Sequence, residues 1–216
     1  MQYDHIAWDF NGTILDDVHS GVGATNILLR RRGLPTVDSL DYYYSVFCFP
    51  IIRYYERIGF DFTKESYDDV AVEWAIEYRR LAKAAPLREG VLPLMQTLAA
   101  RGIPQTVLSA SEEKLLLEQL TSLGVRDYLE GAFGRGDHSG GDKSALVLAF
   151  RDRRKPGRTL FIGDTDHDAA CARAAGFDCV LVAGGHQGKD KLLRCGVPVY
   201  DSFADLARTL FAEETV

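Results

Sequence analysis

The hydrophobic residues of the chain follow two different periods, and the change falls near Pro86. From about Asp16 to Ala85 the apolar positions recur at helical spacing, and no segment has the pattern of a strand. After Pro86, short apolar runs of strand length alternate with helical segments. This order of elements is typical of a parallel sheet with crossover helices, so we predict an α/β fold.

The segment before Pro86 is predicted to be a small all-helical subdomain inserted into the sheet-forming chain. Its three predicted helices are Asp17–Arg32, Asp41–Ile58 and Lys64–Ala85. Gly33 is suited to end the first of them, because glycine adopts the left-handed conformation that closes many helices. An insertion of this kind leaves residues 1–15 and 87–216 to form the sheet and its flanking helices.

The predicted strands share short apolar runs that end in polar or small residues. They are the run from Ile6 to Asp9, Pro104–Ser109, Thr159–Gly163, Cys179–Ala183 and Val197–Tyr200. The helices predicted between them are Val91–Arg101, a helix capped by Ser111 and ending before Gly124, Asp142–Asp152 and Asp166–Ala175.

The first candidate for chemistry is Asp9, at the end of the first strand. Asn11 and Gly12 both tolerate a positive φ, which predicts a turn directly after this carboxylate. In open α/β sheets, ligands bind at the carboxyl ends of the strands. An ordinary turn with a solvated aspartate is the alternative that this stretch alone leaves open.

Three further candidates follow later strands. Ser109 precedes a helix, so its hydroxyl and the amides of Ala110 and Ser111 can bind an anion, although a serine here is often only a helix cap. Lys143 stands at a helix start, where a lysine is unfavourable unless an anion lies nearby; a solvated lysine is the alternative. Asp164 and Asp168 put two carboxylates at one strand end, which favours a bound cation.

Composition and charge limit the class of protein. The 216 residues are 46% hydrophobic, enough for a packed core, and the net charge of −6 with a pI near 5.4 argues against a general nucleic-acid binder. Four scattered cysteines form no C-x-x-C pair and predict neither a disulfide framework nor a zinc site. With no secretory signal and no apolar run of membrane length, we expect a cytoplasmic protein without membrane partners.

Taken in order, these motifs resemble those of the haloacid dehalogenase superfamily of phosphohydrolases. The motif D-x-D-G-T-[LV] corresponds to residues 9–14, the strand ending in Ser or Thr to Ser109, the lysine to Lys143, and G-D-x-x-x-D to residues 163–168. The order is most similar to the phosphoglycolate phosphatase-like branch. The resemblance implies a Rossmann-like core over 1–15 and 87–216, with 16–86 as a helical C1 cap.

The resemblance also implies a mechanism and a metal. Asp9 would attack phosphorus and form an aspartyl-phosphate, while Asp9, the Asn11 carbonyl and Asp164 would hold Mg²⁺ with support from Asp168. The substrate is expected to be a small phosphorylated metabolite. The residues expected to bind it are Gly12, Thr13, Ser109, Ala110 and Lys143 near the phosphate, and Arg53 in the cap.

One position departs from the family pattern. The second aspartate, which would serve as general acid and base, is Asn11 here, and an amide cannot carry that proton. His19, Asp16 and Asp17 are the candidate substitutes. Because of this departure, two alternative functions remain: a carbon–halogen hydrolase, and a regulatory protein without catalysis.

A P-loop phosphotransferase is a further alternative. Residues 136–144 run G-x-x-x-x-G-D-K-S, but the extra Asp142 interrupts the G-K-[ST] sequence that such a loop requires. Oligomeric state is not predicted.

Overall fold

The computed structural model describes residues 3–136, 143–154 and 157–212, and it confirms the α/β fold with a Rossmann-like parallel sheet. The sheet has six parallel strands in the order β3-β2-β1-β4-β5-β6. The strands are β1 (His5–Trp8), β2 (Gln105–Glu112), β3 (Gly131–Arg135), β4 (Thr159–Gly163), β5 (Asp178–Val182) and β6 (Val199–Tyr200).

Helices connect the strands and form the insertion. They are α1 (Val18–Arg31), α2 (Leu40–Val46), α3 (Ile51–Arg57), α4 (Tyr67–Ala82), α5 (Val91–Ala100), α6 (Glu113–Ser122), α7 (Ser144–Arg153), α8 (Asp166–Ala175), α9 (Lys189–Leu192) and α10 (Phe203–Phe211). Two short 3₁₀ turns, Arg126–Tyr128 and Leu193–Cys195, complete the described elements.

Strand β1 lies at the centre of the sheet, between β2 and β4. All four of its residues are buried, and Trp8 is in register with Val107 on one side and Ile162 on the other. The Trp8 indole donates a hydrogen bond to Gln105 Oε1 at 3.1 Å. The chain leaving β1 therefore emerges between the ends of its two neighbours, where parallel sheets place their ligand sites.

Helices α1 to α4 pack around a hydrophobic cluster of their own. It includes Leu28, Tyr43, Tyr55 and Val70, each at most 3% exposed. The two connections to the sheet run side by side: Asp16 N donates to Pro86 O, and Arg88 N donates to Ile14 O, both at 2.9 Å. The division of the chain at residues 16 and 86 and the role of the insertion as a cap both stay predictions.

The structure corrects the predicted helix over Asp41–Ile58. This stretch forms α2 and α3 instead, with Pro50 at the position before α3. Proline has no N–H to donate and disfavours a helical residue before it, so a continuous helix cannot pass through this position undisturbed. The break brings Phe47, Phe49 and Pro50 to the cavity described below.

The prediction that Ser111 caps the following helix is wrong. Strand β2 continues to Glu112, and the position before α6 is Glu112, which makes no side-chain capping bond. Strand β3 was not predicted, because Gly131 and Gly134 weaken its strand pattern. Asp142 of the predicted helix Asp142–Asp152 and most of the glycine-rich loop lie outside the described residues.

Across the three described ranges, the helices are too short or too polar to cross a lipid bilayer.

Candidate active site

Asp9 directly follows β1 and is 7% exposed. Its backbone N donates to Ile162 O at 2.8 Å, which fixes the turn against β4. Lys143 Nζ donates to Asp9 Oδ1 at 2.6 Å, and the Thr13 hydroxyl donates to Oδ2 at 3.2 Å. Burial raises the pKa of Asp9 well above its usual range, although the Lys143 ammonium opposes the shift. The solvated-turn alternative is therefore not what the structure shows.

Lys143 lies directly before α7 and is 3% exposed. Its ammonium bridges two carboxylates, Asp9 and Asp168. Burial disfavours the charged form, but these two partners outweigh it and raise the pKa of Lys143. Nearby anions thus stabilise a lysine at a helix start. The contact of Lys143 with Asp9 does not support a P-loop, because a P-loop lysine would contact phosphates bound by the loop before it.

Asp164 and Asp168 follow β4 and are essentially fully buried. Asp168 sits in the first turn of α8, where Oδ2 accepts from Thr165 N at 2.9 Å as part of a capping box. Burial would raise the pKa of Asp168, but the Lys143 charge holds it below its usual range. Asp164 accepts from the Thr13 hydroxyl at 2.8 Å, and burial raises its pKa.

These residues fit a divalent cation. Asp9, Asp164 and Asp168 each offer a carboxylate oxygen, and these oxygens lie within 4.8 Å of one another. Burial raises the pKa of Asp9 and of Asp164, and the nearby Asp168 carboxylate raises both further, against the opposing charges of Lys143 and His186. A divalent cation would offset this crowding of carboxylates. Hard oxygen donors of this kind suit Mg²⁺.

The Asn11 side chain is held at both ends. Its Nδ2 donates to Asp17 Oδ2 at 2.8 Å and to the Tyr78 hydroxyl at 2.6 Å, while its Oδ1 accepts from Ser111 Oγ at 2.7 Å. The Tyr78 hydroxyl in turn donates to Asp17 Oδ2 at 2.6 Å. The amide thus links the turn after β1 to β2, to the start of α1 and to α4 of the insertion.

Asp17, one of the three candidate proton carriers, lies inside this network and is 1% exposed. Its Oδ1 accepts from Gly12 N at 2.7 Å and lies 3.2 Å from His186 Nε2. Burial alone would raise the pKa of Asp17, but the His186 charge and the hydrogen bonds from Tyr78 and Asn11 lower it. Asp16 and His19 are both exposed and do not line the cavity.

The predicted phosphate-binding residues surround the same point with different exposure. Ser109 is fully buried, and its Oγ accepts from Ser111 N at 3.0 Å, whereas Ala110 is exposed and lines the cavity. Gly12 and Thr13 are buried. Gly12 N donates to the Asp17 carboxylate, and the Thr13 hydroxyl donates to the carboxylates of Asp9 and Asp164. All four therefore lie at the carboxyl ends of β1 and β2.

Above these groups is a cavity of about 630 Å³, a volume typical of small-molecule sites. Asp9, Lys143 and Asp168 line its inner end. Its remaining walls include eight aromatic side chains between residues 43 and 78 together with polar and small residues, and Arg53 is not among the lining residues. The Arg53 side chain is 65% exposed and points away from the cavity. It pairs with Glu56 on the same helix.

His186, in the loop after β5, is a site residue that the sequence analysis missed. Its backbone N donates to Asp164 Oδ2 at 2.6 Å, and its Nδ1 lies 2.8 Å from the Tyr43 hydroxyl. Burial favours the neutral ring, but Asp17 outweighs it and raises the pKa of His186 to about 9. Gly184 and Gly185 directly after a predicted strand were the available signal, since that loop leaves the same edge of the sheet.

Comparison with known proteins agrees with this geometry. Residues 6–182 match the sequence profile of the family described as haloacid dehalogenase-like hydrolase. A phosphoglycolate phosphatase from Rhodobacter capsulatus is 24% identical over 84% of this chain and 85% of its own length.

Two solved structures share the fold over nearly their whole lengths. A predicted phosphatase from Clostridium acetobutylicum superposes with a TM-score of 0.79 at 16% identity, covering 98% of this chain and 100% of its own. Protein tyrosine kinase A from Mycobacterium tuberculosis gives 0.80 at 22% identity, covering 97% and 98%. The profile match over most of the chain confirms the resemblance: the chain belongs to the haloacid dehalogenase-like hydrolase family and is similar to its phosphoglycolate phosphatases.

Proposed function

We propose that this protein is a Mg²⁺-dependent phosphatase that hydrolyses a small-molecule phosphate monoester through an aspartyl-phosphate on Asp9. The single observation that carries the proposal is the contact of Lys143 Nζ with Asp9 Oδ1 at 2.6 Å, beside the carboxylates of Asp164 and Asp168. The phosphatase names of the related proteins support the same reaction class.

Each residue has a role that follows from its position. The Asp9 carboxylate attacks phosphorus, and its location between the ends of β2 and β4 brings the phosphate to the cluster. Lys143 neutralises charge on the phosphoryl oxygens as it builds up in the transition state. The Ser109 hydroxyl and the amide of Ala110 bind a further oxygen, since the Ser111 amide already donates to Ser109 Oγ. The insertion, residues 16–86, closes over the ester as a cap and excludes bulk water.

The metal would be held by Asp9, Asp164 and the Asn11 carbonyl, with Asp168 positioning Lys143 beside them. When bound, such a cation supplies Lewis-acid stabilisation of the phosphoryl oxygens.

A carbon–halogen hydrolase is less well supported, because three buried carboxylates around one lysine favour a cation and a phosphate dianion over a neutral carbon–halogen bond. A regulatory protein without catalysis is disfavoured by the intact arrangement of Asp9, Lys143 and Asp164.

The test is hydrolysis of p-nitrophenyl phosphate with and without Mg²⁺, in wild type, Asp9→Asn and Asp16→Asn. Asp9→Asn should leave less than about a thousandth of the turnover while remaining folded. Asp16→Asn, which changes an exposed carboxylate near the same turn, is the matched control and should retain activity. Acid-quenched wild type should carry the mass of one added phosphoryl group, and Asp9→Asn should not.

Metal-independent turnover, or normal activity of Asp9→Asn, would refute the mechanism. Release of chloride from a haloacid, without phosphate release from any ester, would favour the alternative hydrolase.

A further inference from the structure

The walls of the cavity above Asp9 are built from aromatic rings that hold one another in place. The Trp74 and Tyr78 rings of α4 stack with centroids 4.6 Å apart and planes inclined by 11°. Tyr43, Phe47 and Tyr54 pack together on the other side, with centroid distances between 5.0 and 5.8 Å. Such walls present flat apolar faces to whatever part of a substrate extends beyond its phosphate.

The charges that line the cavity argue against a second anionic group on the substrate. Among the described lining residues, the lysine and arginine side chains are those of Lys143 and Arg79. Lys143 already bridges two carboxylates, and Arg79 donates to Glu112 Oε2 at 2.6 Å. Asp17 and Glu112 add negative charge to the same walls. His186, whose ring also lines the cavity, faces Asp17 through Nε2 at 3.2 Å. A carboxylate such as that of phosphoglycolate would be desolvated here while Lys143, Arg79 and His186 are already paired with acidic side chains.

The proton inventory of the site gives an independent argument about the leaving group. Asn11 has no proton to give, and both ends of its amide are already hydrogen-bonded. Two histidines also line the cavity. His186 has Nδ1 engaged with the Tyr43 hydroxyl and Nε2 with Asp17, and His167 has Nε2 3.7 Å from the Cys171 thiol. A leaving group that departs without a proton must be a stable anion. Phenols ionise at a pKa of about 10, far below that of water, the simplest model of an alkyl alcohol.

We infer that the substrate is an aryl phosphate monoester, whose uncharged aromatic ring occupies the cavity walled by Tyr43, Phe47, Tyr54, Trp74 and Tyr78. The inference rests on the proposed phosphatase function and specifies its substrate class. The aromatic rings of the wall account for the ring of the substrate. The pairing of the described lining cations with acidic side chains accounts for its neutrality, and Asn11 accounts for its phenolic oxygen.

The reaction balances without a general acid. An Asp9 oxygen forms a bond to phosphorus as the bond from phosphorus to the aryl oxygen breaks, and the phenolate leaves with that electron pair and takes a proton from solvent. Water then bonds to phosphorus, the bond to the Asp9 oxygen breaks, and one proton passes to solvent. The sum is aryl phosphate plus water giving phenol plus hydrogenphosphate.

Two phosphonates that cannot be hydrolysed test whether the cavity prefers an aromatic ring to a carboxylate. The comparison measures binding alone and does not depend on how fast an ester reacts. Benzylphosphonate replaces the bridging oxygen of phenyl phosphate by carbon, and 3-phosphonopropionate does the same for phosphoglycolate. Calorimetry with Mg²⁺ should show benzylphosphonate binding at least about tenfold more tightly, because the carboxylate is unpaired in this cavity. Equal binding, or tighter binding of 3-phosphonopropionate, would overturn the inference.

A positive charge placed in the wall should offset this preference. Ala75 lines the cavity on α4, whereas the neighbouring Ile76 is 63% exposed and does not. Ala75→Arg should therefore favour 3-phosphonopropionate over benzylphosphonate by about tenfold relative to wild type, and Ile76→Arg should leave the wild-type ratio. An unchanged ratio in a folded Ala75→Arg protein would show that the leaving group does not occupy this space.

Turnover separates the inference from the proposed function. Phenyl phosphate should exceed both cyclohexyl phosphate and phosphoglycolate in kcat/KM by at least about 100-fold, since only the first leaves as a stable anion. Hydrolysis of phosphoglycolate at a rate equal to that of phenyl phosphate would refute the aryl assignment and leave the phosphatase intact. Failure to hydrolyse any of the three esters with Mg²⁺ would refute the phosphatase itself.

Discussion

Asn11 Nδ2 donates a hydrogen bond to Asp17 Oδ2 over 2.8 Å, so the residue that departs from the family motif is bonded to a buried carboxylate. An aspartate at position 11 would place two carboxylates in contact. One of them would then have a strongly raised pKa, as in carboxylate pairs elsewhere. The amide at this position is therefore matched to its neighbours and not simply a lost acid.

The first prediction concerns the stability of Asn11→Asp. At pH 8 this variant should lose about 1 to 3 kcal/mol of unfolding free energy, through repulsion with Asp17 and the loss of the donors to Asp17 and Tyr78. Because the folded-state pKa of the pair is raised, the folded state takes up a proton as pH falls, and the loss should shrink at pH 5. Urea unfolding at both pH values measures this.

The control is the exchange Asn11→Asp with Asp17→Asn, which restores one amide and one carboxylate and should recover at least half of the lost stability. A single variant as stable as wild type at pH 8 would show that the two side chains move apart.

The second prediction concerns Lys143→Met. Removing the ammonium leaves the Asp9 and Asp168 carboxylates without their cation, so Mg²⁺ should bind about tenfold more tightly or better, as measured by the rise in Tm with metal concentration. Turnover should nevertheless fall by about 10² to 10³ because charge stabilisation in the transition state is lost. Tighter metal binding together with lower activity would distinguish the role of Lys143 from that of a metal ligand.

Lys189→Met is its matched control, since Lys189 is half-exposed and pairs with Asp201 away from the cavity. It should change neither quantity. Weaker metal binding in Lys143→Met would contradict the proposed competition between ammonium and metal.

The third prediction concerns pH and His5, a buried histidine of β1 whose Nε2 lies 3.0 Å from Thr106 Oγ1. Burial, assisted by the charge of Arg154, lowers the pKa of His5 to about 4. Between pH 6.5 and 4 the unfolded chain binds a proton that the folded protein does not, so stability falls as pH falls through this window. Above it His5 contributes no pH dependence.

The difference in unfolding free energy between wild type and His5→Gln should therefore change between pH 7 and pH 4.5, with wild type losing more. His19→Gln, at an exposed histidine, should follow the wild-type curve. Parallel curves for wild type and His5→Gln would contradict the lowered pKa.

The clustering of the candidate site residues was predictable because they follow strands that the sequence marks clearly. Thr159–Gly163 and Asp166–Ala175 have the predicted bounds, and parallel strands meet at one edge, so Asp9 and Asp164 had to be neighbours. The partners of Asn11 were not predictable in the same way. Tyr78 reaches it from a helix 67 residues away in the chain, and only packing of the insertion decides which face of α4 turns inward.

The same reasoning explains the misses. A proline between two helical runs divides the predicted Asp41–Ile58 helix, and residues of the break line the cavity. Arg53 was chosen by residue type, but the rotation of a short helix determines where it points. His186 was missed because its loop follows a strand without a charged motif residue.

The last prediction concerns Gly185, whose position depends on the absence of a side chain. A Cβ placed there would overlap the Asp164 carboxylate, which accepts a hydrogen bond from the next residue, His186, at 2.6 Å. Gly185→Ala should therefore displace Asp164 and weaken Mg²⁺ binding by about tenfold or more, while the sheet, packed elsewhere, remains folded. Gly136→Ala is the matched control, because none of the residues that the structure describes has an atom within 4 Å of the added methyl group. The measurement is the Mg²⁺ dependence of Tm, with far-ultraviolet circular dichroism to establish folding. If Gly185→Ala binds Mg²⁺ as wild type does, then Asp164 either is not a ligand or has room to move, and the metal site proposed here would have to be redrawn around Asp9 and Asp168.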